Sequence, residues 1–463
     1  MSTELINMDK IVSLCKQRGF VFPGSEIYGG LANTWDYGPL GVELKNNIQQ
    51  EWWKYFVKSR GDMVGIDAAI LMNPAVWKAS GHVENFNDAQ VDCKNCKARL
   101  RADHLIENAV KGLKVEGLSM EDLDKLIAEN EIKCPKCGSQ DFTPSRIFNL
   151  LFQTHIGPVA KDSEAVYLRG ELAQSMFTNF KTVQQTTRKK IPFGIAQVGK
   201  VFRNEITPGN FIFRTLEFDL MEFEYFIEEK DWESTFDYWL EQMQQWLDHI
   251  GIDKSKTRVR EHTKDELSHY SKKTVDIEFE TPFGWKELYG CAYRTDFDLK
   301  NHTEKSGVDL NYTDPYTDRK FIPHVIEPTF GLSRTFLMVL LSAYTEEQIQ
   351  DSEGNEEKRI VLKLNKKIAP YKAAVLPLTN KLNSQAEQVF NQLIKDFSVE
   401  FDISGSIGKR YRRQDEIGTP FCITFDFDSI DDNAVTVRDR DSMRQERIKI
   451  TDLNNYLSDQ LKK

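Results

Sequence analysis

The chain has 463 residues, 40% of them apolar and 29% charged, and a net charge of −10. Such a length suits roughly two to four domains whose cores need neither disulfides nor metals, and the composition excludes a disordered or fibrous protein. The longest apolar run, residues 336–344, is far short of the roughly 20 residues a bilayer span needs, and net acidity confines any nucleic-acid binding to local basic patches.

In chain order, the opening residues carry no basic region leading into an apolar stretch, so the expected setting is the cytoplasm. Apolar residues recur at helical spacing over 41–57, after a loop at Tyr37-Gly-Pro-Leu-Gly41. A polar module follows at 85–150. Four of the seven cysteines lie in it as Cys93-x-x-Cys96 and Cys134-x-x-Cys137. Two such knuckles suit a tetrahedral zinc site with four thiolate ligands. The spacer between them contains an amphipathic helix beginning near Met120. Cys15, Cys291 and Cys422 read as buried thiols.

From 151 to 344 the texture is strand-like, with runs at 165–169, 193–199, 211–213 and 218–226. Alternation in the last places Phe218, Glu222 and Glu224 on one face, so carboxylates share a sheet face with an aromatic ring. A helical insertion at about 230–273 interrupts the strands, which resume at 275–280 and 284–290. The acidic stretch 345–360 reads as a linker. Beyond it, 361–463 alternates strand and helix as a separate α/β domain, with a basic run at Lys409-Arg410-Tyr411-Arg412-Arg413.

The chemistry concentrates in Phe202-Arg-Asn-Glu205, a turn at 207–210, and the stretch from Phe211 to Glu222. Two strands joined by a loop would aim Arg203 and Arg214 at one region, with Phe218 free to stack on a flat ring. Forked guanidinium donors suit phosphate recognition. A salt-bridged hairpin with a core phenylalanine fits the same residues.

The pattern Arg-x-Glu, loop, Arg-x-x-x-Phe-x-x-x-Glu resembles motif 2 of the class II aminoacyl-tRNA synthetases. Gly331-Leu-Ser-Arg334 resembles motif 3, and the Pro39 region with its Trp-Trp helix resembles motif 1, the dimerisation element. Within the class, Phe202-Arg-Asn-Glu-Ile-Thr-Pro208, Glu327-Pro-Thr-Phe-Gly-Leu-Ser-Arg334, Arg101-Ala-Asp-His104 and residues 405–420 resemble the homodimeric glycyl-tRNA synthetases. The resemblance implies an α+β fold: an antiparallel β-sheet core flanked by helices, an inserted cysteine-knuckle module and a C-terminal α/β anticodon-binding domain. Residues 1–84 with motif 1 and 151–344 with motifs 2 and 3 would form the catalytic core, 85–150 a zinc-ribbon-like insertion, 345–360 a linker and 361–463 the anticodon-binding domain.

The implied activity is ATP-dependent activation of glycine to glycyl-adenylate, then transfer to the 3′ end of tRNA(Gly). Arg203 and Arg334 would be catalytic. ATP would be held by Arg203, Asn204, Glu205, Phe213, Arg214, Phe218, Glu287, Leu288, Gly331, Ser333 and Arg334, with Mg2+ at Glu287. For glycine the resemblance implies Glu171, Glu222 and Glu327 on the ammonium, Arg294 on the carboxylate, Thr329, and Arg101 closing over the substrate. Lys409, Arg410, Arg412 and Arg413, with Arg438 and Arg440, become candidate tRNA contacts. Four positions, Gly170, Leu172, Ser175 and Thr329, depart from the usual family pattern: Arg169-Gly-Glu-Leu-Ala-Gln-Ser175 stands where Arg-Pro-Glu-Thr-Ala-Gln-Gly is usual, and Thr329 stands where serine is usual. The competing readings are a class II synthetase for another small amino acid, and a non-catalytic synthetase-like nucleic-acid-binding accessory protein. A bare zinc-ribbon module would explain only the cysteines.

Overall fold

The architecture comes from a computed structural model that describes residues 7–110, 113, 115, 118–157, 165–206, 209–268, 270–350 and 356–462. Half of the expected 207–210 turn (207 and 208), the centre of the expected linker (351–355) and the first six residues lie outside that set.

A seven-stranded sheet organises the chain. Its strands are β1 (Met63–Gly65), β2 (Phe193–Phe202), β3 (Glu217–Ile227), β4 (Thr257–Glu261), β5 (Lys273–Thr281), β6 (Gly284–Thr295) and β7 (His324–Gly331), in spatial order β4-β5-β6-β7-β3-β2-β1. Every pairing is antiparallel except β1 with β2. The helices that cover it are α1 (Pro39–Trp53), α2 (Ala173–Thr187), α3 (Trp232–Ile250), α4 (Phe297–Ser306) and α5 (Leu332–Ala343).

Period-two alternation sends the side chains of β3 to two different cores. Met221, Phe223, Tyr225 and Ile227 join Trp52 of α1, Trp239 of α3 and Phe336 of α5, whereas Leu220 and Phe226 join Met176, Phe177 and Phe180 of α2. Pro39 starts α1 at its first turn, where a missing N–H leaves nothing unpaired. Leu40, Leu44, Ile48 and Trp52 then form its buried stripe. Gly41 is required there, because a Cβ would sit 1.8 Å from the Phe20 carbonyl oxygen.

The cysteine module has its own three-stranded sheet, ordered Arg99–Arg101, Asn87–Asp92, Arg146–Asn149, and its own apolar cluster around Val91, Ile106, Leu123 and Ile127. Its expected helix is Met120–Glu129, capped by Ser119. The C-terminal unit has five strands, Val399–Phe401, Ala373–Pro377, Phe421–Phe425, Ala434–Asp439 and Gln445–Lys449 in spatial order. The first three run parallel and the last two antiparallel.

Three local expectations are corrected. The stretch Phe211–Phe213 is a 3-10 turn, entered through left-handed Asn210, and its rings face the core instead of alternating. The insertion read as helical to residue 273 contains β4, whose charged residues suit an exposed edge strand. The stretch read as a linker forms an antiparallel hairpin, Tyr344–Gln350 with Glu356–Leu362. Its low hydrophobicity reflects an exposed two-stranded ribbon. Arg359 on its inner face is fully buried, 2.7 Å from Glu347 and 2.8 Å from Asp415 of the C-terminal unit. No helix among the described residues is long and apolar enough to cross a membrane.

Candidate active site

A cavity of about 330 Å³ opens on the sheet face that carries Phe218, Leu220 and Glu222. Its lining divides into an acidic end and a basic end. Glu171, Glu222, Glu327 and Thr329 form the first, while Arg203, Arg214 and Arg334, with Phe213 and Phe218, form the second.

At the acidic end all three carboxylates are held by donors. Glu222 accepts the Leu172 N–H at 3.1 Å and the Thr329 hydroxyl at 2.9 Å. Glu171 accepts the Gln174 amide at 2.9 Å and lies 3.2 Å from His82, whose other ring nitrogen meets Ser80 at 2.8 Å. Glu327 accepts from Arg294 at 2.8 Å. Burial would raise the Glu171 carboxyl, but the charges of His82 and Arg294 outweigh it and hold it well below the usual range. Glu222 is shifted upward by burial and by the charge of Glu171.

Arg294 is placed differently from the expectation. It is 1% exposed and lies behind the cavity wall, gripping Asp298 at 2.8 and 3.0 Å as well as Glu327. The ring of Tyr270 lies 3.8 Å from its guanidinium carbon. Its donors are committed to protein carboxylates, so it anchors Glu327 from behind the wall. Arg101 also departs from expectation. It pairs with Asp88 at 3.0 Å and Asp103 at 2.5 Å and does not line the cavity.

At the basic end, Arg203 packs over Phe218 at 5.5 Å and Phe86 at 5.3 Å, and its Nε donates to the Gly170 carbonyl at 3.1 Å. Arg214 pairs with Glu205 at 2.7 Å. Arg334 lies 3.1 Å from Glu287 and 4.7 Å from the Phe213 ring. The charge of Arg334 lowers the pKa of Glu287. Ser333 at the start of α5 accepts from Tyr37 at 3.0 Å, and Gly331 and Leu288 complete the wall. Asn204 is the exception: its N–H donates to Leu150 at 2.8 Å and it stays out of the cavity lining.

The four knuckle cysteines converge. Cys93 and Cys137 are 3.6 Å apart, Cys96 and Cys134 are 3.7 Å apart, and all four sulfurs lie within 4.8 Å of one another. A tetrahedron with metal–sulfur bonds of about 2.3 Å has sulfur–sulfur edges of about 3.8 Å, so the thiols fit zinc. Cys15, Cys291 and Cys422 are buried and free.

The basic run of the C-terminal unit lies on Ile407–Ile417, and only part of it faces solvent. Lys409 is exposed. Arg410 is 3% exposed and donates to the carbonyls of Pro377 at 2.6 Å and Asp402 at 3.2 Å, so it cannot be a surface contact. Arg412 pairs with Glu357 at 2.6 Å and Arg413 with Asp402 at 2.7 Å, both part-buried. Arg438 is buried against Asp415 at 2.9 Å, and Arg440 is buried against the Gly418 and Leu364 carbonyls at 2.8 Å.

Several residues around the site are absent from the sequence reading: His82, Gln174, Tyr270, Asp276 and Asp298. The spacing of Arg294 and Asp298, four residues apart where a strand enters a helix, is the one signal that could have found a member of this group. Asp276 sits beside Glu287, raised by burial and by that neighbour's charge, and meets His262 at 2.8 Å.

Residues 159–344 match the family model of the tRNA synthetase class II core domain (G, H, P, S and T), and residues 372–460 match that of the anticodon binding domain. With the antiparallel sheet and its two-ended cavity, these matches define a class II aminoacyl-tRNA synthetase. The chain is 56% identical to the glycine–tRNA ligase of Bacillus anthracis over 460 residues, spanning 98% of this chain and 99% of that protein. It is 56% identical to that of Geobacillus kaustophilus (strain HTA426), over 98% and 99% of the two chains, and 54% identical to that of Alkaliphilus oremlandii (strain OhILAs), over 100% of both. The chain belongs to the glycine–tRNA ligase family. These relatives do not favour a synthetase for another amino acid or a non-catalytic accessory protein.

Proposed function

We propose that the chain activates glycine with ATP to glycyl-adenylate and pyrophosphate, then transfers glycine to the terminal ribose of tRNA(Gly). The observation that carries this reading is the polarity of this cavity, with carboxylates at one end and arginines and aromatic rings at the other.

Glu171, Glu222 and Glu327 hold the ammonium group of glycine at the acidic end, which sets its carboxylate toward Arg203. A glycine carboxylate oxygen bonds to the α-phosphorus of ATP as the bond to pyrophosphate breaks. Arg203 takes the charge that develops on the α-phosphate, a role of positioning and electrostatics that needs no covalent nucleophile. Phe218 stacks on adenine, Glu205 accepts from its amino group, and Arg214 and Arg334 exchange Glu205 and Glu287 for the terminal phosphates. Glu287 and Asp276 offer hard oxygen ligands suited to magnesium, which neutralises phosphate charge when bound. The ribose hydroxyl of the tRNA then attacks the glycyl carbonyl, and AMP leaves.

A substrate without a side chain is recognised by its charges, and close walls exclude anything larger. Lys409 and the accessible edges of Arg412 and Arg413 are the proposed tRNA contacts, and the cysteine cluster is a proposed structural zinc site. The proposed domain limits are those read from the sequence, with the hairpin in place of the 345–360 linker. Exposed Ile27, Tyr28 and Leu31, at 90%, 88% and 63%, support a homodimer formed around the start of α1. Free cysteines throughout suit a reducing cytoplasm.

The test is exchange of labelled pyrophosphate into ATP with each of the twenty amino acids, on wild type and Arg203→Ala. Exchange with glycine alone, lost in the variant, is expected. No exchange by folded protein, with or without tRNA, would overturn the reading.

A further inference from the structure

Glu224 follows Glu222 by two residues on β3, so its side chain leaves the same face of the sheet. It is 0% exposed, and an oxygen of it lies within 4.8 Å of oxygens of Glu222 and Glu327. Neither of its oxygens has a hydrogen-bond partner among the described residues. Its neighbours differ, since Glu327 accepts a hydrogen bond from the Arg294 guanidinium and Glu222 is held by Thr329 and the Leu172 N–H. Ile195 stands opposite Glu224 on β2. The charged groups that act on it are Glu222 on its own strand, Glu327 on β7, Arg294 on β6 and Asp298 in α4, three carboxylates against one cation.

An ionised carboxylate buried without a donor is strongly disfavoured, and the group gives up its charge instead. A neutral carboxylic acid has one O–H to donate, and two carboxylates stand nearby to accept it. Glu327 uses Oε1 for Arg294 and retains a second oxygen. We propose that Glu224 is a positioning residue of the substrate-ammonium site, acting as a neutral carboxylic acid that donates its proton to Glu327. Burial and the charge of Glu327 both push its proton affinity well above that of an ordinary carboxylate. The acid thereby fixes the orientation of Glu327 without adding a further charge to a pocket that already holds Glu171, Glu222, Glu327 and Asp298. The inference deepens the glycine reading above and rests on it for the identity of the ammonium group.

The test compares wild type, Glu224→Gln and Glu224→Leu as full-length protein. Infrared spectra of the free protein in D2O at neutral pD should contain the carbonyl stretch of a protonated carboxylic acid, and Glu224→Gln should lack it. In pyrophosphate exchange, Glu224→Leu should raise KM for glycine roughly tenfold with KM for ATP unchanged, and Glu224→Gln, which retains a donor, should recover most of that loss. A carboxylic-acid band that survives in Glu224→Gln, or a glutamine variant as impaired as the leucine one, would overturn the proposal. If Glu224→Leu fails to fold, the band and the glutamine kinetics still decide. The spectrum needs no substrate, so a failure of the glycine reading leaves the protonation result standing.

Discussion

Replacing Thr329 by valine isolates one hydrogen bond at the acidic end of the cavity. The two side chains are similar in shape, but the donor 2.9 Å from Glu222 is lost. A hydrogen bond to a charged partner contributes about 1.5–3 kcal/mol, so kcat/KM for glycine in pyrophosphate exchange should fall about 10- to 150-fold. KM for ATP should not change, because the bond lies at the other end of the cavity. The loss also carries a pH signature. Burial and the charge of Glu171 already raise the Glu222 carboxyl, and the Thr329 bond opposes them. Removing that bond therefore moves the pKa further up. Glu222 must be ionised to hold an ammonium, so glycine affinity is present above its pKa and lost as pH falls through it. The acid limb of kcat/KM for glycine therefore moves to higher pH in Thr329→Val and returns in Thr329→Ser. A valine variant with wild-type glycine kinetics and an unmoved acid limb would refute the reasoning.

Three further outcomes follow from other parts of the chain. Chelator-washed protein should retain close to one zinc per chain by atomic emission, and Cys93→Ser should lose it; a wild-type content far below one counts against the site. Arg359→Met leaves Glu347 and Asp415 without the guanidinium that meets them at 2.7 and 2.8 Å. Asp415 keeps Arg438 at 2.9 Å and Glu347 keeps Lys363 at 2.7 Å, so the loss should fall below the ~3–5 kcal/mol of an uncompensated buried charge, and the C-terminal unit should still unfold at lower urea. Lys409→Ala should weaken tRNA charging and its salt dependence while sparing pyrophosphate exchange, whereas Arg410→Ala should lower stability, because its carbonyl partners at Pro377 and Asp402 lose their donor.

The sequence was legible where chemistry and periodicity coincide. Alternation along 218–226 puts Phe218, Glu222 and Glu224 on one face, and β3 carries them there. The pairs of cysteines announce their cluster because spacing within a knuckle is local. The setting of Arg294 was only partly legible: Asp298 is four residues away, but Glu327 comes from the neighbouring strand β7, and Tyr270 from the segment before β5. The run 409–413 was overread, since five consecutive helical residues point around the whole circumference and cannot share one exposed face. The hairpin at 345–360 was missed because a two-stranded ribbon buries little, and Arg359, deeply buried within it, carries a charge.

The segment between β1 and α2 holds a distinction between side chain and main chain. Residue 172 reaches Glu222 through its N–H, while the leucine side chain sits in the apolar cluster with Met176 and Phe180. Residue 170 reaches Arg203 through its carbonyl. Any residue supplies that carbonyl and any residue but proline supplies that N–H. The departures at Gly170 and Leu172 from the usual Pro and Thr therefore leave both contacts in place, because the path of the backbone makes them. Glu171, between them, acts through its carboxylate and has no such freedom. Main-chain and side-chain contacts thus alternate residue by residue along this stretch of the cavity wall.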